Sequence, residues 1–365
     1  MPVRTTITRA SRRTFLKNSL TVAAVLPALS HQAFAASRKL NIYNFDTYIG
    51  PTTLDDFTKA TGIETRYDLY ADNAELFARL REGNPGYDLI CPTNDTLDRM
   101  IHADMLVGID HSKIPNMKNL EPRFMESSYD VGRKFSVPYF WGTVGIGYRK
   151  SAVSKVLADK TPDSWNYIYG DEGAKFAGRM AWSSDIPTII GAALKMLGHS
   201  LNSTVETELK QAEEILKAHK KNARTIAGDN GQDLLLASEV DLAVDYNGDI
   251  AQVAAEDNDL TYVLPKEGTQ LWDDSWAIPK GGPDAAAAHE FINYILTPEV
   301  HASIAKVTNY ALPNAAAKAL MPDEYKNNPM IFPSEEAIKV SEYAKYLGED
   351  VSQKLTDLVT RIRAE

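Results

Sequence analysis

The chain has 365 residues, with 39 basic and 49 acidic side chains, a net charge of −10 at pH 7, seven histidines and one cysteine. That balance disfavours nucleic acid and anionic membrane surfaces as partners and favours cations. The single Cys91 excludes an internal disulfide and any cysteine-based metal cluster.

Residues 1–35 read as an address. Arg4, Arg9, Arg12, Arg13 and Lys17 come first with no acid beside them, then the apolar run Leu20–Leu29, then Ala33-Phe-Ala35, a small-x-small cleavage pattern. The run is shorter than the roughly 20 apolar residues a permanent span needs. Ser11-Arg-Arg-Thr-Phe-Leu-Lys17 is similar to the twin-arginine export signal, and no cysteine comes after it that would carry a lipid. Removing those five cations leaves 34 basic against 49 acidic residues, a net −15, on about 330 residues. A chain of that length exceeds one ordinary core, so two lobes are expected.

Lys39–Tyr43 predicts a strand; Thr53, with Asp56 three residues on, opens a helix that Gly62 closes. Ile63–Leu69 alternates as a second strand. Asp72, with Glu75 behind it, caps a helix bearing Leu76 and Leu80 that stops at Gly83, and Tyr87–Cys91 is a short buried strand. Strand–helix–strand–helix–strand in about fifty residues signals a parallel sheet with covering helices. The class recurs further on: a strand at Arg179–Trp182, a helix at Ile189–Leu197, and a capping box at Ser203 and Glu206 before a helix with Val205, Leu209, Ala212 and Leu216 on one stripe. Val240–Asp245 predicts a strand, a helix opens near Asp249, and Leu260–Leu264 is a last strand before the turn Pro265–Gly268. No repeat or flexible linker is present, so the chain is expected to cross between lobes more than once.

Ligands on open α/β sheets bind beyond the carboxyl ends of the strands. The residues just past each predicted strand therefore make a site list: Asn44–Tyr48, then Thr93-Asn-Asp95, then Ser183-Ser-Asp185, then Tyr246-Asn-Gly-Asp249, and later Leu271–Trp276. Every one of these carries an acid, and several add an aromatic ring. Carboxylates give charge-assisted hydrogen bonds to ammonium groups, and ring faces contact methylenes and attract cations. Each Asp taken alone is also an ordinary cap or turn residue; Asp56 and Asp72 are assigned to capping. Trp272-Asp-Asp-Ser-Trp276 holds two indoles and two acids, more than a turn needs.

Other chemistry finds no support in the sequence. The histidines form no HExxH or similar ligand pair, and there is no GxSxG elbow, Walker loop or GxGxxG opening a helix. Gly142, Gly145 and Gly147 lie within a β-like run and read as a tight strand crossing or hinge. Cys91, in an apolar Leu-Ile-Cys context, reads as a structural thiol rather than a nucleophile.

Tyr43–Tyr48, Phe57–Gly62, Tyr87–Pro92, Val137–Gly142, Tyr246–Gly248, Trp272–Pro279 and Tyr310–Asn314, in that order and spacing, resemble the spermidine/putrescine-binding proteins of bacterial ABC importers over about Leu40–Pro333. The resemblance implies a two-lobed α/β periplasmic binding fold of type II, each lobe a mainly parallel sheet flanked by helices, closing on a ligand in the cleft. It implies a leader at 1–35, the first part of lobe 1 at 36–143, lobe 2 at 144–270, and a return to lobe 1 with C-terminal helices packing across both at 271–365. The crossovers are expected near Trp141–Gly147 and Pro265–Trp276. It further implies a periplasmic monomer that binds a small amine and delivers it to a membrane permease, with no cofactor, no metal and no catalysis. Carried over by position, the site comprises the aromatic pair Phe45 and Tyr48 with Asp46 and Thr47 between them, Thr93, Asp95, Asp185, Thr188, Tyr246, Asp249, Trp272, Asp274 and Tyr310. Phe45 and Tyr246 stand where Trp is commoner, Thr47 and Thr188 where an acid is expected, and Asp95 where some members place Tyr. Putrescine or spermidine is the first expectation for the ligand; agmatine or 4-aminobutyrate is the alternative. An enzyme using Cys91 and a metal carrier are the competing classes.

Overall fold

The computed structural model describes residues 38–364 apart from Asp229; the leader read from residues 1–35 lies outside the described residues. The first half runs β1 (Lys39–Asn44), α1 (Thr53–Thr61), β2 (Glu64–Leu69), α2 (Asn73–Arg81), β3 (Leu89–Ile90), α3 (Asn94–His102), β4 (Leu106–Val107) and the 14-residue β5 (Ser136–Arg149). After it come α4 (Lys150–Leu157), α5 (Asn166–Tyr169), β6 (Met180–Ser183), α6 (Ile186–Met196), α7 (Glu206–His219), β7 (Ala223–Ala227), α8 (Gly231–Leu236), β8 (Leu242–Tyr246), α9 (Asn247–Glu256), β9 (Leu260–Val263) and β10 (Gln270–Pro279). Helices including Ala285–Ile295 and Pro298–Thr308, a short β11 (Glu342–Tyr343) and the helix Glu349–Ala364 complete the chain.

The local chemistry accounts for most boundaries. α1 ends because Gly62 takes φ 73°, a left-handed turn that costs glycine nothing, and its N–H closes on Thr58. At α2 the Asp72 carboxylate accepts the Glu75 N–H at 2.8 Å, while Glu75 accepts the Ala71 N–H at 2.9 Å, two otherwise unmet backbone donors satisfied within one turn. Two expectations shift. The N-cap of α1 is Thr52, one residue before the predicted opening, and a hydrogen bond from Thr52 holds the Asp56 carboxyl below its usual range. The capping box expected at Ser203 does not form: α7 begins at Glu206 behind Val205, and the Ser203 hydroxyl is spent on the Val205 N–H and on Glu208.

The sheet order is β2-β1-β3-β10-β5-β8-β6-β7, with β4 and β11 on β10 and β9 on β5. β1 is parallel to β2 and β3, and β6 is parallel to β7 and β8, whereas β5 and β10 run antiparallel to their neighbours in the main path. β5 changes partners along its length: Ser136–Thr143 lies against β10, and Val144–Arg149 against β8 and β9. One antiparallel strand thus joins two sets of parallel strands. The glycines of β5 are crowded there. A Cβ on Gly142 would lie 2.2 Å from Asn247 Oδ1 and 2.5 Å from Trp272 Cζ2, and one on Gly145 2.5 Å from the Tyr262 ring. The tight-crossing reading of these glycines therefore holds.

The core runs under both halves. Trp276, Tyr139, Phe140 and Phe291 are fully buried beside Leu40, Ile42 and Leu89; burying each large apolar side chain stabilises by about 1.5–3 kcal/mol. Arg133, a non-glycine residue at φ 52°, sits buried against β10. It donates to Asp273 Oδ2 at 2.8 Å, to the Phe124 carbonyl at 2.6 Å and to the Tyr129 hydroxyl at 2.7 Å, and Tyr129 in turn donates to Asp273. This network fastens the approach to β5 onto β10.

Candidate ligand-binding site

The turn after β1 buries one ring and exposes two polar residues. Thr47 takes φ 51°, and its N–H is accepted by Asp46 at 2.8 Å; both stay exposed, outside the buried cluster that Tyr48 enters. Tyr48 is anchored by its own carbonyl, which accepts the Tyr139 hydroxyl at 2.8 Å. Its phenol donates to Asp274 Oδ2 at 2.7 Å. Burial first, and the Asp274 charge second, raise the Tyr48 phenol well above its ordinary value, so it remains a donor.

Five rings are linked edge to face. Phe45 meets Tyr48 at 5.8 Å, Tyr48 meets Tyr310 at 5.4 Å, Tyr310 meets Trp272 at 5.2 Å, and Trp272 meets Tyr246 at 5.9 Å. Their interplanar angles, 79–89°, are those the ring quadrupoles favour. Glycines let them close up: a Cβ on Gly248 would sit 2.2 Å from the Tyr310 ring, as one on Gly142 would collide with Trp272. This is the local reason for Tyr-Asn-Gly at the start of α9. Asn247 supports the same corner, its Oδ1 accepting the Thr143 N–H at 3.0 Å.

Two helix starts that carry carboxylates are fastened to β10. Thr93 bridges Asp274 in an antiparallel pair and is held by Asn73 through both its N–H and its hydroxyl, which places Asp95 in the first turn of α3. Asp185 caps α6, its Oδ2 accepting the Thr188 N–H at 3.0 Å. The Thr188 hydroxyl lies 2.7 Å from that oxygen and 3.0 Å from Gln270 Oε1 on β10. The Asp95 carboxyl is pushed up to about 7, by desolvation first and then by the charges of Asp185 and Asp274. Asp185 is raised as well, by desolvation first, with Asp72 adding to it. Asp249 lies in the first turn of α9 beside Gln252.

Of the residues predicted from sequence, the structure thus joins Phe45, Tyr48, Tyr246, Trp272, Asp274 and Tyr310 in one ring-and-acid cluster, pairs Thr93 with Asp274, leaves Asp95 under the charges of Asp185 and Asp274, and ties Asp185 through Thr188 to Gln270 on β10. Sequence reasoning misses Gln270. Its signal is the strand period of two: Gln270, Trp272 and Asp274 share a face of β10. Cys91 is fully buried with its thiol pushed far up by burial, so it stays a thiol, and its carbonyl accepts the Tyr70 hydroxyl at 2.6 Å. Among the described residues no group of three or more His, Cys, Asp or Glu side chains could hold a metal ion. What the arrangement can do is enclose a cation with methylenes: carboxylates for the charge, ring faces for the chain.

A family model described as bacterial extracellular solute-binding protein matches residues 52–333. The putrescine-binding periplasmic protein of Pseudomonas aeruginosa is 35% identical over 346 residues, covering 92% of this chain and 93% of that protein. The putrescine-binding periplasmic protein of Escherichia coli is 33% identical over 325 residues, covering 86% and 88%. Among solved structures, the spermidine/putrescine ABC transporter substrate-binding protein of Streptococcus pneumoniae superposes with a TM-score of 0.78 at 31% identity, covering 90% of this chain and 99% of that one.

Proposed function

The chain belongs to the bacterial extracellular solute-binding protein family, and from that premise we propose that it captures putrescine or spermidine in the periplasm and delivers it to an ABC-importer permease. The observation that carries this reading is the buried Asp274 carboxylate, held by Tyr48 and walled by Trp272 and Tyr310, with Asp95 and Asp185 at the facing helix starts. One end holds an ammonium group against rings, and the other offers further negative charge for a second cationic nitrogen. A ligand carboxylate in that second position would face Asp95 and Asp185, which weighs against 4-aminobutyrate. The relatives named above are named for binding putrescine, and the buried thiol of Cys91 gives no reason to assign chemistry here.

We place the lobe junctions at 143/144 and near 270, where β5 changes partners and β10 begins. The working form is a monomer with its leader cleaved near Ala35. Calorimetry on protein unfolded and refolded to strip carried ligand tests the reading, with putrescine, cadaverine, spermidine, spermine, agmatine and 4-aminobutyrate as titrants. Micromolar or tighter binding of a diamine or longer polyamine supports it. Binding of only the zwitterion, or of none of the set, overturns it.

A further inference from the structure

β10 is buried along its whole length. Gln270 opens it, 7% exposed, and its amide meets the hydroxyl of Thr188, 2% exposed, at 3.0 Å. The same hydroxyl lies 2.7 Å from Asp185 Oδ2. A threonine hydroxyl has one proton and two lone pairs, so it cannot donate to both. The carboxylate contact is the shorter, as a charge-assisted bond is, and a lone pair turned to a carboxylate at that distance would be repelled. The proton therefore goes to Asp185, and a lone pair is left facing Gln270. A half-turn of the Gln270 amide keeps its outline and brings Nε2–H to that lone pair. The groups then donate in one direction, from Gln270 to Thr188 to Asp185, and each bond polarises the next.

Thr188 thus gives two donors to one oxygen: its N–H at 3.0 Å, the N-cap bond of α6, and its O–H at 2.7 Å, both on Oδ2. The N–H alone leaves the carboxylate able to swing about its Cβ–Cγ bond; the hydroxyl fixes its plane and so the direction of Oδ1. α6 itself is seated by other means. Gln270 pairs with Glu342 of β11, and Glu342 accepts the Lys195 ammonium at 3.0 Å and the Ser200 hydroxyl at 2.5 Å, which ties the far end of α6 to the same strand. Ile189, Ile190, Ala193 and Leu194 bury its inner face. Losing the Gln270 amide therefore loosens the carboxylate and leaves the helix in place.

We propose that Gln270 is a positioning residue for ligand capture: through the Thr188 hydroxyl it sets the direction of the Asp185 carboxylate, so that Oδ1 is presented to a ligand ammonium group. This rests on the polyamine reading, in which Asp185 offers charge to the second cationic nitrogen. Gln270 acts on the ligand only through those two residues, by holding the acceptor ready before the ligand arrives.

The test is titration calorimetry of putrescine into the purified protein and its variants. Gln270→Met keeps the length of the side chain and removes the amide; it is expected to lower affinity about 3- to 10-fold, the worth of one neutral hydrogen bond. Thr188→Val keeps the N-cap bond and is expected to lower affinity at least as far, and Thr188→Ser to recover what Thr188→Val loses. A double-mutant cycle separates positioning from a general loosening of the fold. Asp185→Asn keeps the cap through its oxygen and turns an NH₂ group toward the ligand, so nothing remains to position. In that background, and in Thr188→Val, adding Gln270→Met changes affinity by less than twofold. Thermal unfolding shows which variants are folded; if Gln270→Met is not, Thr188→Val decides from the other end of the bond. Affinity within twofold of wild type in Gln270→Met, or in Thr188→Val, overturns the proposal, as does an equal loss from Gln270→Met with and without Asp185→Asn. Failure of the wild-type protein to bind any amine removes the polyamine reading and the proposal together, whereas those results removes positioning alone.

Discussion

Replacing Asp274 by Asn preserves the shape of the side chain and its acceptor for the Tyr48 hydroxyl at 2.7 Å, and removes one negative charge from the ring-walled end of the cleft. A hydrogen bond to a charged group contributes about 1.5–3 kcal/mol and a neutral one about 0.5–1.5, so the ammonium loses about 1–2 kcal/mol, a factor of about 5 to 30 in Kd. The ligand-free protein is expected to respond in the opposite sense. Asp274 is one of the charges that raise Asp95, so neutralising it relieves repulsion and leaves the melting temperature unchanged or higher. Titration calorimetry gives the affinity, and thermal unfolding with and without putrescine gives the stability. At ligand 100-fold above its Kd the wild type gains about 2.7 kcal/mol; at the same concentration the variant gains markedly less. An affinity within twofold of wild type, or a ligand-free melting temperature that falls in step with affinity, would refute the assignment of Asp274 as the ammonium partner.

Gly142→Ala is expected to destabilise by about 1–3 kcal/mol through overpacking and to weaken binding, because the new methyl meets Asn247 and Trp272 at 2.2 and 2.5 Å; urea unfolding and calorimetry read both. Arg133→Met leaves Asp273 buried without its cation and is expected to cost about 3–5 kcal/mol in urea unfolding, with a large part recovered by Asp273→Asn in the same chain. Asp95 has a folded-state value near 7, above its unfolded one near 4. Its contribution to ligand-free stability is therefore fully present below about pH 4 and lost as pH rises through about 7, a loss of roughly 2 kcal/mol after allowing for partial solvent access. Asp95→Asn removes that slope, so thermal unfolding of the ligand-free variant shows its advantage over wild type at pH 8 and not at pH 4.

Much of the candidate site was legible because a mainly parallel arrangement collects the residues that follow its strands at one end of the sheet. Reading the residues after β1, β3, β6 and β8 locates Tyr48, Asp95, Asp185 and Tyr246 without any partner contact being known. Two things escape that reading. The direction of a turn depends on backbone torsions: at Thr47, φ 51° sends Asp46 and Thr47 outward and Tyr48 inward. Which acids face one another depends on packing between elements far apart in sequence. Asp185 is a helix cap, as the plain reading of an Asp before a helix has it, and it also raises Asp95 from ninety positions away. In sequence, cap and site compete for the same residue, but a carboxylate has two oxygens and a charge, so one helix start can serve as a cap and still act on a distant acid.

The segment Trp272–Trp276 sharpens the point, since it carries two acids of opposite fate. A strand turns successive side chains to opposite faces, so Trp272 and Asp274 look one way and Asp273 and Ser275 the other. Asp273 and Ser275 meet Arg133 at 2.8 and 3.4 Å, making a buried tie that holds the fold. Trp272 and Asp274 meet Tyr310 and Tyr48, making the ring-and-acid cluster of the candidate site. Trp276, two residues further on, has passed beyond the cleft and packs on Tyr139 and Phe291. The same strand therefore anchors its charged partner Asp273 on one side so that Asp274 can present its charge on the other. A one-residue slip of β10 against β5 would exchange the two faces, aiming the Arg133-bound acid at the ligand and burying the ligand's acid beside Arg133. The Arg133 network fixes the register on which the site depends, and for that reason the cost of Arg133→Met is expected to appear in affinity as well as in stability.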